Sequence, residues 1–310
     1  MLKGSVNSHF QELFMKVPIP LCWAASNGVI LKTNVRFKQI FGYTRQDMPT
    51  LNHWWHLAYP DAIYRSWVQT TWNAALALAA AEKRDIAPTE YKVRCKSGQT
   101  VIMEISGVTL GDSFLATFID VTERNAAQER AQQLAFHDPL TQLPNRRLLT
   151  TRLEHLLVKL HRSKRFAALM VVDLDHFKPL NDSLGHAAGD HVLVQAARRM
   201  VGAVRAVDTV ARTGGDEFVV LLDEIDVSAK VAAQAAIEIA QRLQACLAVD
   251  FDLTPVGDKT KGLLHSGSAS IGVVLIDSQD TAIDSPFSLA DTAMYEVKRS
   301  GGNGVLMAKT

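Results

Sequence analysis

The sequence predicts two domains in one chain: an N-terminal α+β domain with an antiparallel sheet and helices, linked by a helix to an α/β domain built on a mixed central sheet. Three observations carry this reading. Residues 10–122 run as two short strand-like segments, several helical ones and then three alternating strands. Residues 123–136 form helix-favouring sequence without Gly or Pro. From residue 137 to 310 helical segments alternate with apolar strands. A chain of 310 residues is long enough for two separate cores.

In the first domain, LCWAASNGVILKTN reads as two strands around a turn at Ser26-Asn27-Gly28. VRFKQIFGY reads as a short amphipathic helix and the stretch from Asp61 to Glu82 as a longer one. Three strands follow, the first pair joined at Lys96-Ser97-Gly98. Ala127, Ala131 and Leu134 in the linker fall at coiled-coil-like spacing, which suits a paired stalk or a solvated connector. In the second domain a helix near Arg146 to Arg162 precedes the strand FAALMVVDLD, and a helix follows from about Ala187 to Val204. Then come a hairpin, DTVARTGGDEFVVLLDE, a helix from about Ala229 to Ala248, a loop at Pro255 to Lys261, the strand LHSGSASIGVVLI and the helix SLADTAMYEVKRS.

Composition narrows the function. The formal net charge is +1 with Lys and Arg scattered, so no nucleic-acid footprint is present. Cys22, Cys95 and Cys246 have no metal-binding spacing and fit reduced thiols in a cytoplasmic protein. The N-terminus carries Lys3 but no apolar signal core, and the longest apolar run, Trp72 to Ala81, is too short to span a bilayer. No membrane segment is expected in this chain.

The chemistry gathers in the second domain. Gly214-Gly215-Asp216-Glu217-Phe218 lies at a hairpin tip, and by itself is an ordinary turn. Asp173-Leu174-Asp175 ends an apolar strand. A strand-end carboxylate and a hairpin-tip carboxylate can converge on a hard cation that also holds phosphates, and glycines at the tip admit a bulky triphosphate. Asn181 and Asp190 flank a Gly-containing turn and offer an amide and a carboxylate to one planar ligand such as guanine, although capping and turn roles explain Asn181 and Asp182 as cheaply.

Together these residues resemble the GGDEF family of diguanylate cyclases. The resemblance spans about His137 to Asn303: His137-Asp138-Pro139-Leu140-Thr141, Leu143-Pro144-Asn145-Arg146, Asp173 to Lys178, Asn181-Asp182, Gly185-His186, Gly189-Asp190, the pentapeptide and Ser270-Ile271-Gly272. The resemblance implies a palm-polymerase-like domain that condenses two GTP into cyclic di-GMP and two pyrophosphates. It implies Mg²⁺, or Mn²⁺ in its place, on Asp173, the Leu174 carbonyl and Asp216. Asp216 matches the proposed proton acceptor, with Glu217 completing the acidic pair. It implies guanine on Asn181 and Asp190 with His186 close by, and the triphosphate facing Lys178 and Lys298. Each subunit would contribute one GTP, so a homodimer is required. Arg205 and Asp208 match the family's RxxD inhibitory site for the product, where Asp208 would accept from guanine; by spacing alone they are a surface ion pair. One departure stands out: the Arg that commonly helps clamp the triphosphate is Gly302 here.

The order of elements in residues 10–122, with NVRFKQIFGYTRQDM and the closing Asp120-Val121-Thr122-Glu123-Arg124, resembles a PAS sensor domain. Val35 stands where flavin-binding photosensors carry a reactive Cys. His53 and His56 read as turn or surface residues in preference to haem ligands, and Trp23, Phe41, Trp54, Trp55, Trp67 and Trp72 as core builders. The domain would bind an unknown small molecule, or none and serve only in dimerisation. Two alternatives to an active cyclase remain at this point. One is a catalytically silent GGDEF nucleotide receptor, which the intact acidic residues disfavour. The other is a fragment of a protein with a further, cyclic di-GMP-hydrolysing domain, for which Thr310 follows the last motif too soon.

Overall fold

The computed structural model describes residues 9, 11–253, 264–279 and 284–309. The expected loop at 255–261 and the expected first residue of the N-terminal domain, 10, lie outside them. The chain divides into two compact units between Glu129 and Arg130.

The first unit is an antiparallel sheet of five strands in the order β2-β1-β5-β4-β3. These are β1 (Leu21–Ala25), β2 (Ile30–Thr33), β3 (Ile86–Arg94), β4 (Thr100–Leu110) and β5 (Ser113–Asp120). Pro88 sits in β3 without breaking a ladder, because β3 is an edge strand with a register shift between Ile86 and Thr89. Helix α1 (Val35–Phe41) is fixed by the buried Asn34, whose side chain accepts from Phe37 N at 3.0 Å and Leu21 N at 2.9 Å, and donates to the Ile19 carbonyl at 2.8 Å. Helix α2 (Leu51–Ala58) replaces the expected turn around His53 and His56; Trp54 and Ala58, one turn apart, are its buried side. Helix α3 (Ala62–Glu82) matches the expected long helix. Phe37, Phe41, Trp54 and Phe118 form one aromatic cluster with ring centroids 4.6–6.1 Å apart. Trp23 and Trp67 are not core residues: both are exposed, Trp23 Nε1 donating to Ser113 Oγ at 2.9 Å and Trp67 stacking on Tyr64.

Helix α4 (Thr122–Phe136) buries none of its side chains. Its start is held by Arg124, which reaches Glu90 at 3.0 Å and Glu104 at 3.5 Å. Those two acids face each other across β3 and β4, so one guanidinium offsets a like-charge cross-strand pair.

The second unit holds a mixed sheet in the order β12-β11-β6-β8-β7, with β11 and β12 parallel and every other pair antiparallel. Its strands are β6 (Phe166–Leu174), β7 (Thr209–Gly214), β8 (Glu217–Asp226), β11 (Ala269–Ile276) and β12 (Gly304–Met307), with β9 (Phe251–Asp252) and β10 (Leu264–His265) as a separate small ribbon. Helices α5 (Arg146–Ser163) and α9 (Asp284–Arg299) cover one face, packing on Ala167, Leu169 and Val171 of β6. Helices α7 (His186–Ala203) and α8 (Ala229–Leu247) cover the other, on Ala168, Met170 and Val172. A strand buried on both faces reads as a continuous apolar run, which is why FAALMVV shows no alternation.

Helix α9 comes so close to β11 that only Gly fits at position 272. A Cβ there would lie 2.0 Å from the Ala290 carbonyl oxygen and 2.4 Å from Met294 N, both backbone atoms. Gly272→Ala should therefore cost about 3 kcal/mol or more, at or above the upper end for overpacking. All five tryptophans, Trp23, Trp54, Trp55, Trp67 and Trp72, lie in the first unit. Thermal melts should then show an early far-ultraviolet circular dichroism transition in this variant while the tryptophan fluorescence transition stays near that of the parent.

Candidate active site

Alternation along β6 carries Asp173 onto the α5/α9 face, at the end of the sheet where apolar cover stops. The ladder sets Glu217 opposite it on one side and Ser270 on the other. The two-residue turn Gly215-Asp216 joins β7 to β8, and Gly215 takes φ +48°, open to any residue approaching the tip. Leu174 N points to the Asp216 carbonyl at 3.4 Å. Thus Asp173, Leu174, Asp216 and Glu217 come together as expected.

Asp173 is only 6% exposed, and its pKa is pushed up to about 6 by burial, with Asp216 and Glu217 adding to the rise and Lys298 opposing it. Lys298 Nζ lies 2.6 Å from Asp173 Oδ1 as a close, charge-assisted ion pair, the one positive charge that lowers the carboxyl's pKa. A buried acceptor in a cluster of carboxylates, matched only by a half-exposed ammonium, suits a divalent cation. Among the described residues no three His, Cys, Asp or Glu side chains close into a metal cage. Two carboxylates and one carbonyl leave the remaining positions to phosphate oxygens and water, as Mg²⁺ prefers.

Asp175 has a structural task. It accepts from Ser268 Oγ at 2.8 Å, Ser270 Oγ at 2.7 Å and Asn303 N at 2.9 Å. Asn303 is delivered by the end of α9, where Gly301 N donates to the Lys298 carbonyl and Gly302 N to the Val297 carbonyl, the paired bonds of a Schellman cap. Gly302 has φ +74°, and a Cβ there would meet the Asp175 carboxyl at 3.1 Å. Arg299 is the last residue of the helix and is exposed.

Arg212 ties the hairpin tip to the loop entering the unit. Its Nη1 donates to Asp138 Oδ1 and Oδ2 at 3.0 and 3.1 Å, while Nε and Nη2 donate to the Gly215 carbonyl at 3.0 and 2.7 Å. Asp138 also accepts from Thr141 N and Oγ1 at 2.8 and 2.6 Å. Burial pushes the Asp138 carboxyl up, but these donors outweigh it and leave it below the usual range. Asn145 completes the loop, capping α5 through Leu148 N at 3.1 Å and donating to the Ala135 carbonyl of α4 at 3.0 Å.

Asn181 and Asp182 lie in a helix, α6 (Phe177–Leu184), packed against the start of α7, and the expected Gly-containing turn falls at Gly185 between the two helices. Gly189 permits that contact: a Cβ would lie 2.0 Å from Asn181 Oδ1. Asn181 Oδ1 is buried without a hydrogen-bond partner. His186 and Asp190, one turn apart on α7, and Lys178 on α6 are exposed.

Arg205 and Asp208 are not part of this cluster. They precede β7, roughly 20 Å along the strand from the hairpin tip. The expectation that Asp208 accepts from guanine does not fit its position, because its side chain is 0% exposed and turned inward. Its oxygens take Arg205 N, Nε and Nη2 at 2.9, 3.1 and 2.8 Å and Asp223 N at 3.1 Å. Arg205, half exposed, also donates to the Asp223 carbonyl at 2.7 Å.

Residues 135–304, over half of the chain, match the family model described as diguanylate cyclase, GGDEF domain. The chain belongs to the GGDEF family. Residues 30–113 match the PAS fold. The GGDEF part is 41% identical over 169 residues to diguanylate cyclase TpbB of Pseudomonas aeruginosa, covering 53% of this chain and 35% of that one. Identity is 38% over 188 residues to the bifunctional diguanylate cyclase/cyclic di-GMP phosphodiesterase MucR of the same organism, covering 61% and 26%. The chain thus spans between a quarter and about a third of the length of these relatives. The solved GGDEF domain of PA1120 (TpbB or YfiN) superposes with a TM-score of 0.50 at 38% identity, covering 56% of this chain and 94% of that one.

Within this GGDEF domain, sequence reasoning found the acidic cluster and missed the residues that hold it. Arg212 carried no signal beyond being a charged residue in an apolar strand, and Asp138, Asp175 and Ser270 were motif members without a role. Arg212→Ala should cost about 2–3 kcal/mol, the usual penalty for stranding a part-buried charged partner. Asp138→Asn should cost less, since its amide oxygen still accepts from Thr141. Urea unfolding followed by circular dichroism checks both, and equal costs would mean that the Arg212 fork onto Gly215 contributes nothing.

Proposed function

We propose that this GGDEF domain is an active diguanylate cyclase that condenses two GTP into cyclic di-GMP and two pyrophosphates as a PAS-regulated homodimer. The observation that carries it is Asp173: a buried carboxylate, raised toward pKa 6, beside Asp216 and Glu217 and balanced only by the half-exposed Lys298. A receptor without turnover has no use for so costly a cluster.

In this reading Asp173, the Leu174 carbonyl and Asp216 would hold Mg²⁺ or Mn²⁺, which supplies charge neutralisation at the phosphates. Lys298, now against Asp173, is the charge nearest to hand and turns to the triphosphate together with Lys178. Asn181 Oδ1, buried and unpaired, accepts from guanine, Asp190 takes the N1–H and amino group, and His186 lies one turn before Asp190. Asp216 takes the proton of the attacking 3′-hydroxyl, whose oxygen displaces pyrophosphate from the α-phosphate of the GTP on the partner domain. Helix α4, with no buried side chain, is the segment left to pair in the dimer and pass on the PAS signal.

Purified chain incubated with GTP and Mg²⁺ should yield cyclic di-GMP and pyrophosphate in a 1:2 ratio. Asp173→Ala and Asp216→Ala should each abolish this with little change in melting temperature. Because Asp173 must be ionised to hold a cation, metal affinity should be level above about pH 6 and fall about tenfold per pH unit below it. Intact turnover in either variant sinks the assignment.

Product inhibition at Arg205 is the second part of the proposal. The half-exposed guanidinium neighbours a groove of about 370 Å³, lined by Ala206 next to it and by Arg152, His155, Lys159 and Asp223; Lys159 is paired with Asp223 and Glu224, which leaves Arg152 and His155 to face an anion with Arg205. Asp208 orients Arg205 there and does not itself read the ligand. Progress curves of the parent should bend as cyclic di-GMP accumulates, and Arg205→Ala should straighten them at an unchanged initial rate. Equal curvature would reduce the pair to a structural ion pair.

A further inference from the structure

Position 302, Gly where an Arg commonly helps clamp the triphosphate, sits directly on the carboxylate of Asp175: a Cβ there would meet all three carboxyl atoms at 3.1 Å. The backbone around it is unusual. Three residues in succession hold positive φ, Gly301 at +112°, Gly302 at +74° and Asn303 at +50°. Asn303 thus lies in a region that residues with a Cβ seldom enter, and such a backbone persists only where its neighbours fix it. Here they do. Asn303 N donates to Asp175 Oδ2 at 2.9 Å, and Gln244 Nε2 of α8 donates to the Asn303 carbonyl and side-chain oxygens at 2.6 and 3.0 Å. Asp175 is itself held by Ser268 Oγ at 2.8 Å and by Ser270 Oγ at 2.7 Å, and its own N–H donates to the Ser268 carbonyl at 3.0 Å. Ser270 is fully buried and stands opposite Asp173 in the ladder. One carboxylate therefore ties the end of β6, the start of β11 and the end of α9 together by charge-assisted bonds.

What this latch fixes is Lys298. The Lys298 carbonyl accepts from Gly301 N at 3.2 Å, so the latch begins within the turn that follows it. The backbone contact at Gly272 reaches α9 only at Ala290 and Met294, two turns and one turn earlier. The last turn of a helix frays unless something holds it. Arg299, next in sequence, points about 100° further round the helix and is exposed. With no side chain at 302, contact to phosphate from this helix end depends on where the Lys298 ammonium is held, now 2.6 Å from Asp173.

We propose that Asp175 is a positioning residue for the cyclase reaction: by latching the end of α9 it holds Lys298 where it meets the triphosphate of GTP, and this fixed placement compensates for the guanidinium absent at 302. The proposal rests on the reading of Lys298 as a triphosphate contact.

Calorimetric titration of the full chain in Mg²⁺ with α,β-methylene-GTP, which cannot be cyclised, and with GMP, which lacks the outer phosphates, makes the test. Asp175→Ala should weaken α,β-methylene-GTP about tenfold and leave GMP within about threefold of the parent. Asp175→Asn can still accept from Ser268 and Asn303 through its one oxygen and offer its amide to the Ser270 hydroxyl, so it should stay within about threefold of the parent for both ligands. Lys298→Ala should weaken α,β-methylene-GTP about tenfold or more, and adding Asp175→Ala to it should cost no more than about threefold further, as for two residues acting through one contact. Gly302→Ala strikes the same latch from the helix side and carries the test in both backgrounds if Asp175→Ala does not fold. The proposal is overturned, with the reading of Lys298 intact, by an unchanged affinity in Asp175→Ala, by an equal loss for GMP, by a loss in Asp175→Asn as large as in Asp175→Ala, or by losses that multiply in the double variant. Equal affinity of Lys298→Ala and the parent for α,β-methylene-GTP overturns that reading and the proposal with it.

Discussion

A carboxylate at the end of a strand buried on both faces is the constraint around which the GGDEF domain is arranged. Asp173 stays in place because six apolar residues before it, Ala167 to Val172, and Leu174 after it lock β6 between two helical layers. Desolvation of that carboxylate favours its neutral form, and the neighbouring Asp216 and Glu217 make ionisation harder still. Only Lys298 offsets this, from the far end of α9. The position of α9 is in turn set by bare backbone contact at Gly272 and by the Asp175 network that receives Asn303. Charge at one atom and packing at another are thus parts of one balance.

The hairpin that brings Asp216 to this point does not stand by itself. Arg212 spends its fork on two partners: the Asp138 carboxylate in the entry loop and the Gly215 carbonyl in the turn. Because the same loop receives Asn145 and the last carbonyls of α4, a displacement of that helix end reaches the hairpin through hydrogen bonds with little slack.

Much of this was legible in the sequence, for reasons that differ by residue. The strand end at Asp173 and the turn at Gly215-Asp216 announce themselves because apolar run length and Gly-Asp chemistry are local signals. Helix α6 did not, since Phe177 to Leu184 holds Pro179, Asn181, Asp182 and Ser183, all residues that favour turns. The proline falls in the first helical turn, where no intrahelical N–H bond is lost, and Leu180 docks the helix on the core. Helix α2 was hidden by its shortness and by its two Trp and two His. The partner of Arg212 lies 74 positions away, a distance no periodicity reports. The inward turn of Asp208 was equally invisible, because spacing gives the pair and not which member faces solvent.

That inward turn has a kinetic side. A free arginine on a surface searches many rotamers, and fixing it at binding costs up to about 2 kcal/mol. Arg205 has already lost that freedom to Asp208 and to the Asp223 carbonyl. In the proposed inhibitory site an anion would meet a guanidinium in a settled pose, with little side-chain ordering left to slow its capture. The same rigidity would limit what such a site could hold: only a ligand that fits the one remaining edge of the fork would be kept, where a mobile surface arginine would be far more forgiving.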